Sequence, residues 1–85
     1  MANDTFTTDD RGLVSYLALR GIKHTRAQLV GGRVYFTFSN FNNHEDVLAY
    51  YQGRAAVPAV AMMRALEETW SVINETRGME VRHGR

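Results

Sequence analysis

Cysteine is absent from the 85 residues and proline occurs once, at Pro58. The first absence excludes thiol chemistry, thiolate-bound zinc and any disulfide staple, so a hydrophobic core has to carry the fold. A hydrophobic fraction of 45% against 22% charged residues is enough to build one and argues against disorder. Long apolar runs are missing too. The longest, Ala55 to Met63, falls well short of the roughly 20 residues a membrane span needs. The start Met1-Ala2-Asn3-Asp4-Thr5 lacks the basic and apolar regions of a signal peptide. No membrane partner and a cytoplasmic location are the resulting expectations.

Lysine is nearly absent, for nine of the ten cations are Arg, which fits either an Arg-rich recognition surface or a GC-rich genome. Acidic residues are missing between Asp10 and Glu45, an interval that holds Arg11, Arg20, Lys23, Arg26 and Arg33. The middle of the chain is therefore locally basic, although a net charge of +1 makes no case for a polyanionic partner by itself.

Catalytic constellations are lacking as well. His24, His44 and His83 pair neither with one another nor with carboxylates at metal-ligand spacing. In His44-Glu45-Asp46 the acids are explained by the positive end of a helix. Ser15, Ser39 and Ser71 sit in no Gly-flanked elbow. Asp9-Asp10 and Glu67-Glu68 are adjacent pairs, and neighbours on a helix point about 100° apart. No enzyme activity, metal or cofactor is expected.

What is present reads as a fold. Thr7 with Asp10 three residues later resembles a capping box, which predicts a helix over about 9–20, stopped by Gly21 with Ile22 as its hydrophobic contact. Gly31-Gly32 between two extended runs predicts a two-residue hairpin over 23–39. Pairing Val30 with Arg33 then sets Leu29 opposite Val34, Ala27 opposite Phe36 and Thr25 opposite Phe38, all on one apolar side. The other side carries His24, Arg26, Gln28, Val30, Arg33, Tyr35, Thr37 and Ser39.

Asn42 with Glu45 predicts a second helix over about 43–52, ended by Gly53. Pro58 opens a third over 58–77, stopped by Gly78, with Ala59, Met63, Leu66, Trp70 and Ile73 as its buried seam. Met62, Met63 and Trp70 have the composition of an adaptable binding groove. Helical spacing nevertheless assigns Met63 and Trp70 to the core. The expected architecture is α+β: one domain over 1–78 and a flexible tail over 79–85. Its small antiparallel sheet, with a short edge strand near 5–7, carries all three helices on one face and leaves the other uncovered.

Thr8-Asp9-Asp10 ahead of a helix ending Leu19-Arg20-Gly21, then Gly31-Gly32-Arg33-Val34-Tyr35-Phe36-Thr37-Phe38, Tyr50-Tyr51-Gln52-Gly53-Arg54-Ala55-Ala56-Val57-Pro58-Ala59 and Arg64-Ala65-Leu66 resemble a small uncharacterised domain family of phage and prokaryotic genomes. The likeness covers about Phe6 to Val72, rests on turn, cap and helix-stop residues, and brings no catalytic residues with it. It implies a mobile-element setting and an accessory protein that binds a host protein machine, in defence or transcription, as an inhibitor. The partner-binding residues expected from the uncovered face are His24, Arg26, Gln28, Arg33 and Tyr35, with Arg54 and Arg64 at its rim. A protein is the first partner class and a second copy of the chain another. Nucleic acid is the alternative, because cations beside an aromatic plane suit phosphate contact and base stacking.

Overall fold

The computed structural model describes residues 4–83. In chain order the elements are β1 (Thr5–Thr8), α1 (Arg11–Leu19), β2 (Arg26–Val30), β3 (Arg33–Ser39), α2 (His44–Tyr51) and α3 (Ala59–His83). The strands form one antiparallel sheet in the order β1-β3-β2, and the helices pack against it to give an α+β fold.

The hairpin follows from its glycines. Gly31 and Gly32 have φ of 58° and 83°, the pair of positive angles a type I′ turn requires and one that side-chain-bearing residues resist. With the turn in place, Val30 pairs with Arg33, Leu29 with Val34 and Ala27 with Phe36, as expected. β1 extends the sheet on the far side of β3, setting Phe6 opposite Phe38. Alternation then sends Val34, Phe36 and Phe38 into the core with Leu13, Val14, Tyr16 and Leu17 of α1, Phe41, and Ile73 of α3. Burying a side chain of this size stabilises the fold by roughly 1.5–3 kcal/mol.

α1 is capped by Asp10, whose Oδ1 accepts from the Leu13 N–H at 3.1 Å, while Thr8 Oγ1 accepts from the Asp10 N–H at 3.1 Å. Thr7 is not the cap. It lies in β1 with its hydroxyl 3.4 Å from that of Thr37. The helix closes with Ile22 N–H to Leu17 O at 2.9 Å and Gly21 N–H to Ala18 O at 3.0 Å, the two bonds of a Schellman stop. α2 starts one residue later than expected, after Asn43.

α3 departs from expectation in two ways. It runs through Gly78 to His83, so the stop at 77 and the tail from 79 are corrected for residues 79–83, and residues 84–85 lie outside the described ones. A glycine ends a helix by adopting positive φ, which Gly78 does not do, and in a helix interior it costs only about 1 kcal/mol.

The second departure is the buried stripe, which is rotated from the expected seam. Ala65, Thr69 and Ile73 are buried, whereas Met63 is 62% and Trp70 44% exposed. α3 crosses α1 at Ser15, itself fully buried, with the Ser15 and Thr69 hydroxyls 2.8 Å apart; one donates to the other, and the remaining proton goes to Arg11 O or Ala65 O, each within hydrogen-bond reach. Small residues on both helices let the backbones approach at this crossing. Met62, off the expected seam, packs against the core instead.

Candidate binding surface

The side of the sheet away from the helices carries Thr5 and Thr7 from β1, Arg26, Gln28 and Val30 from β2, and Arg33, Tyr35, Thr37 and Ser39 from β3. Arg26, Gln28 and Arg33 are exposed and Tyr35 is half-buried. Cross-strand pairing sets Gln28 directly opposite Tyr35 and Val30 opposite Arg33, so these four form one patch running to the hairpin turn. Hydroxyls fill the other end, where Thr25 Oγ1 lies 3.1 Å from Ser39 Oγ.

His24 does not belong to this face. Arg26 pairs with Thr37, and the Thr25 N–H also reaches Thr37 O at 2.8 Å. Two residues of one strand thus face one of the other, as in a bulge. The extra residue reverses the alternation beyond it. Thr25 joins the hydroxyl end of the outer face, and His24 turns to the core side, its ring 5.0 Å from Phe36 at an interplanar angle of 84°. Arg54 and Arg64 are also elsewhere. Arg54 follows α2 and donates to Gln52 Oε1 at 2.8 Å, and Arg64 is an exposed residue of α3. Both belong to the helical layer and do not edge the sheet face.

Burial, and then the neighbouring Lys23 charge, lower the His24 pKa from 6.5. The unfolded chain therefore binds the proton more tightly than the folded one. The stability contributed by neutral His24 is complete above the unfolded value and is lost as pH falls from there through the folded value. The Tm of wild type is expected to fall relative to that of His24→Gln as pH drops below the ordinary His value of about 6.5. A difference independent of pH would show that the ring is not held neutral.

Arg33 is exposed but engaged, donating to Asp9 Oδ2 at 2.7 Å; that hydrogen bond, then the charge of Asp9, raises its pKa. It stands at a corner where the outer face meets a cleft of about 630 Å³ whose walls include Asp9, Asp10, Arg11, Trp70 and Arg77. The Arg11 guanidinium lies 4.3 Å from the centroid of the Trp70 ring, and Arg77 donates to Gly32 O at 3.0 Å. Sequence reasoning missed this cleft because it joins the start of α1, the hairpin and the middle of α3, and because Trp70 falls on a core-like spacing. Nothing in the sequence links Arg11 to Arg77, which lie 66 residues apart.

Among the described residues no group of three or more His, Cys, Asp or Glu is placed to hold a metal ion, and no helix is long and apolar enough to cross a membrane. Comparison with protein-family models, with curated proteins and with solved structures finds no match for this chain.

Proposed function

We infer that this chain is a non-enzymatic accessory protein that acts by binding another protein through the uncovered sheet face, with Arg26, Gln28, Arg33 and Tyr35 as its contacts. The observation that carries this reading is the patch itself: two arginines, an amide and a tyrosine ring on one open face of the sheet, beside Val30 at 53% exposure. Arg and Tyr are the residue types that dominate interface energetics, and a sheet holds them with little loss of entropy on binding. The resemblance adds a setting, in which the bound protein is a host machine and the effect is inhibition.

Nucleic acid is the second reading, and the charge on the face disfavours it. Of the two outer-face arginines, Arg33 already meets Asp9, which leaves Arg26 as the one outer-face cation without an ion-pair partner among the described residues. Affinity for a polyanion scales with the number of phosphates neutralised, so a single cation supports little.

Capture of partners on the immobilised chain, compared with an Arg26→Glu/Tyr35→Ala variant, tests the proposal. Partners retained by wild type and lost by the variant are expected; partners held equally by both would put the contact elsewhere. An oligonucleotide titration at low salt separates the classes. Measurable binding whose salt slope shallows by about one unit in Arg26→Ala would favour nucleic acid.

A further inference from the structure

We propose that the cleft between α1, the hairpin and α3 is a second contact that receives an acidic segment of the partner protein, with a partner carboxylate held by Arg11 and Arg77 and its neighbouring side chain against Trp70. The proposal rests on the reading that the chain works by binding a protein, and it adds the chemistry of that protein. Three guanidiniums, from Arg11, Arg33 and Arg77, line one cleft of about 630 Å³, and each is already oriented by one contact. Arg11 lies on Trp70, Arg33 donates to Asp9 and Arg77 donates to Gly32 O.

The two carboxylates of the cleft are engaged as well. Asp9 meets Arg33, while Asp10 accepts from the Leu13 N–H at 3.1 Å and from the Tyr51 hydroxyl at 2.7 Å. Tyr51 keeps its proton, since the loss of water around its hydroxyl and then the bond to Asp10 push its pKa up to about 12. Arg11 and Arg77 are thus left without a carboxylate partner among the described residues. Oriented guanidiniums lose less entropy on pairing with a carboxylate than mobile ones do.

Trp70 supplies the apolar half. It is 44% exposed, although Trp is a residue type that normally gains by burial, and Trp and Arg together are the side chains most enriched among energetically dominant contacts. The same two aspartates argue for a protein occupant over a nucleic acid. Closely spaced phosphates would be repelled by Asp9 and Asp10, whereas a peptide can place one carboxylate between Arg11 and Arg77 and neutral backbone beside the aspartates.

Trp70 is the only tryptophan of the chain, so its emission reports on this cleft directly. The full chain is titrated with a peptide carrying glutamate at alternate positions, with an oligothymidylate and with inorganic phosphate. The peptide is expected to change Trp70 emission saturably, with affinity about tenfold weaker in Arg11→Gln and Arg77→Gln. Asp9→Asn, which frees Arg33, should bind the peptide several-fold more tightly, a gain that misfolding cannot produce.

Unchanged emission, an equal response to phosphate, or a response to the oligonucleotide alone would overturn the proposal. So would peptide binding that survives the Arg11 and Arg77 changes but is lost in Arg26→Glu/Tyr35→Ala, and in that case the sheet-face reading stands. Normal peptide binding at the cleft with partner capture indifferent to Arg26 and Tyr35 would remove the sheet-face reading and leave the cleft.

Discussion

Phe36→Ala is expected to destabilise the protein by about 3–5 kcal/mol, whereas Tyr35→Ala, one residue away, should cost about 1 kcal/mol or less. The two residues are neighbours in β3 with similar rings, so composition and strand propensity predict similar effects. Their surroundings differ. Phe36 is fully buried at the centre of the core and opposite Ala27 across the sheet, so truncation leaves a cavity under α1 and α3. Tyr35 faces outward and loses a cross-strand contact with Gln28. For a domain of this size, whose whole stability lies near the lower end of roughly 5–15 kcal/mol, the first loss is close to unfolding. Equilibrium urea unfolding measures both, and equal losses would show that the strand does not alternate as described.

Ala65→Leu should be the second severe change, while Trp70→Ala should be mild. Ala65 is buried at the crossing of α3 over Ser15 of α1, where the Thr69 hydroxyl lies 3.0 Å from Ala65 O. Three additional carbons there must push the helices apart, at a cost of about 1–3 kcal/mol from overpacking, and must also strain the Ser15–Thr69 hydrogen bond, which is buried and expensive to leave unmade. Trp70 is half outside, and its removal forfeits mainly the stacking with Arg11, worth about 0.5–1 kcal/mol at an exposed site. A core tryptophan would cost about 3–5 kcal/mol. Ile73 is buried on either stripe; thermal unfolding of the two variants decides whether Ala65 and Thr69 or Met63 and Trp70 accompany it into the core.

The contrast between these stripes shows what sequence reading can and cannot reach. The hairpin was legible because two glycines demand one turn, and one turn sets every cross-strand pair up to Ala27 and Phe36. The bulge at Thr25 was not, since no residue there is peculiar to bulges, and it turns half-buried His24 from the outer face to the core side of the sheet. On α3, hydrophobic spacing pointed to large side chains. The actual contact is made by Ala65, Thr69 and Ser15, whose value lies in their small size and paired hydroxyls, neither of which raises a hydrophobicity signal.

The site divides in the same way. Arg26, Gln28, Arg33 and Tyr35 were found because they share one hairpin and one register. Arg54 and Arg64 belong to neither strand, so no register places them, and they lie in the helical layer. The Trp70 cleft brings together residues as distant as Arg11 and Arg77, which only the packing of α3 across the hairpin turn makes neighbours.

Because the natural chain has no cysteine, a single cysteine can be placed at each hairpin position and its rate of thiol labelling read without background. Fast labelling at positions 26, 28 and 35 and slow labelling at 27, 34 and 36, with protection of the first set when the partner is bound, is the result expected for an uncovered contact face. Slow labelling at 26, 28 and 35 in the free protein, or labelling there that a bound partner leaves unaltered, would contradict it.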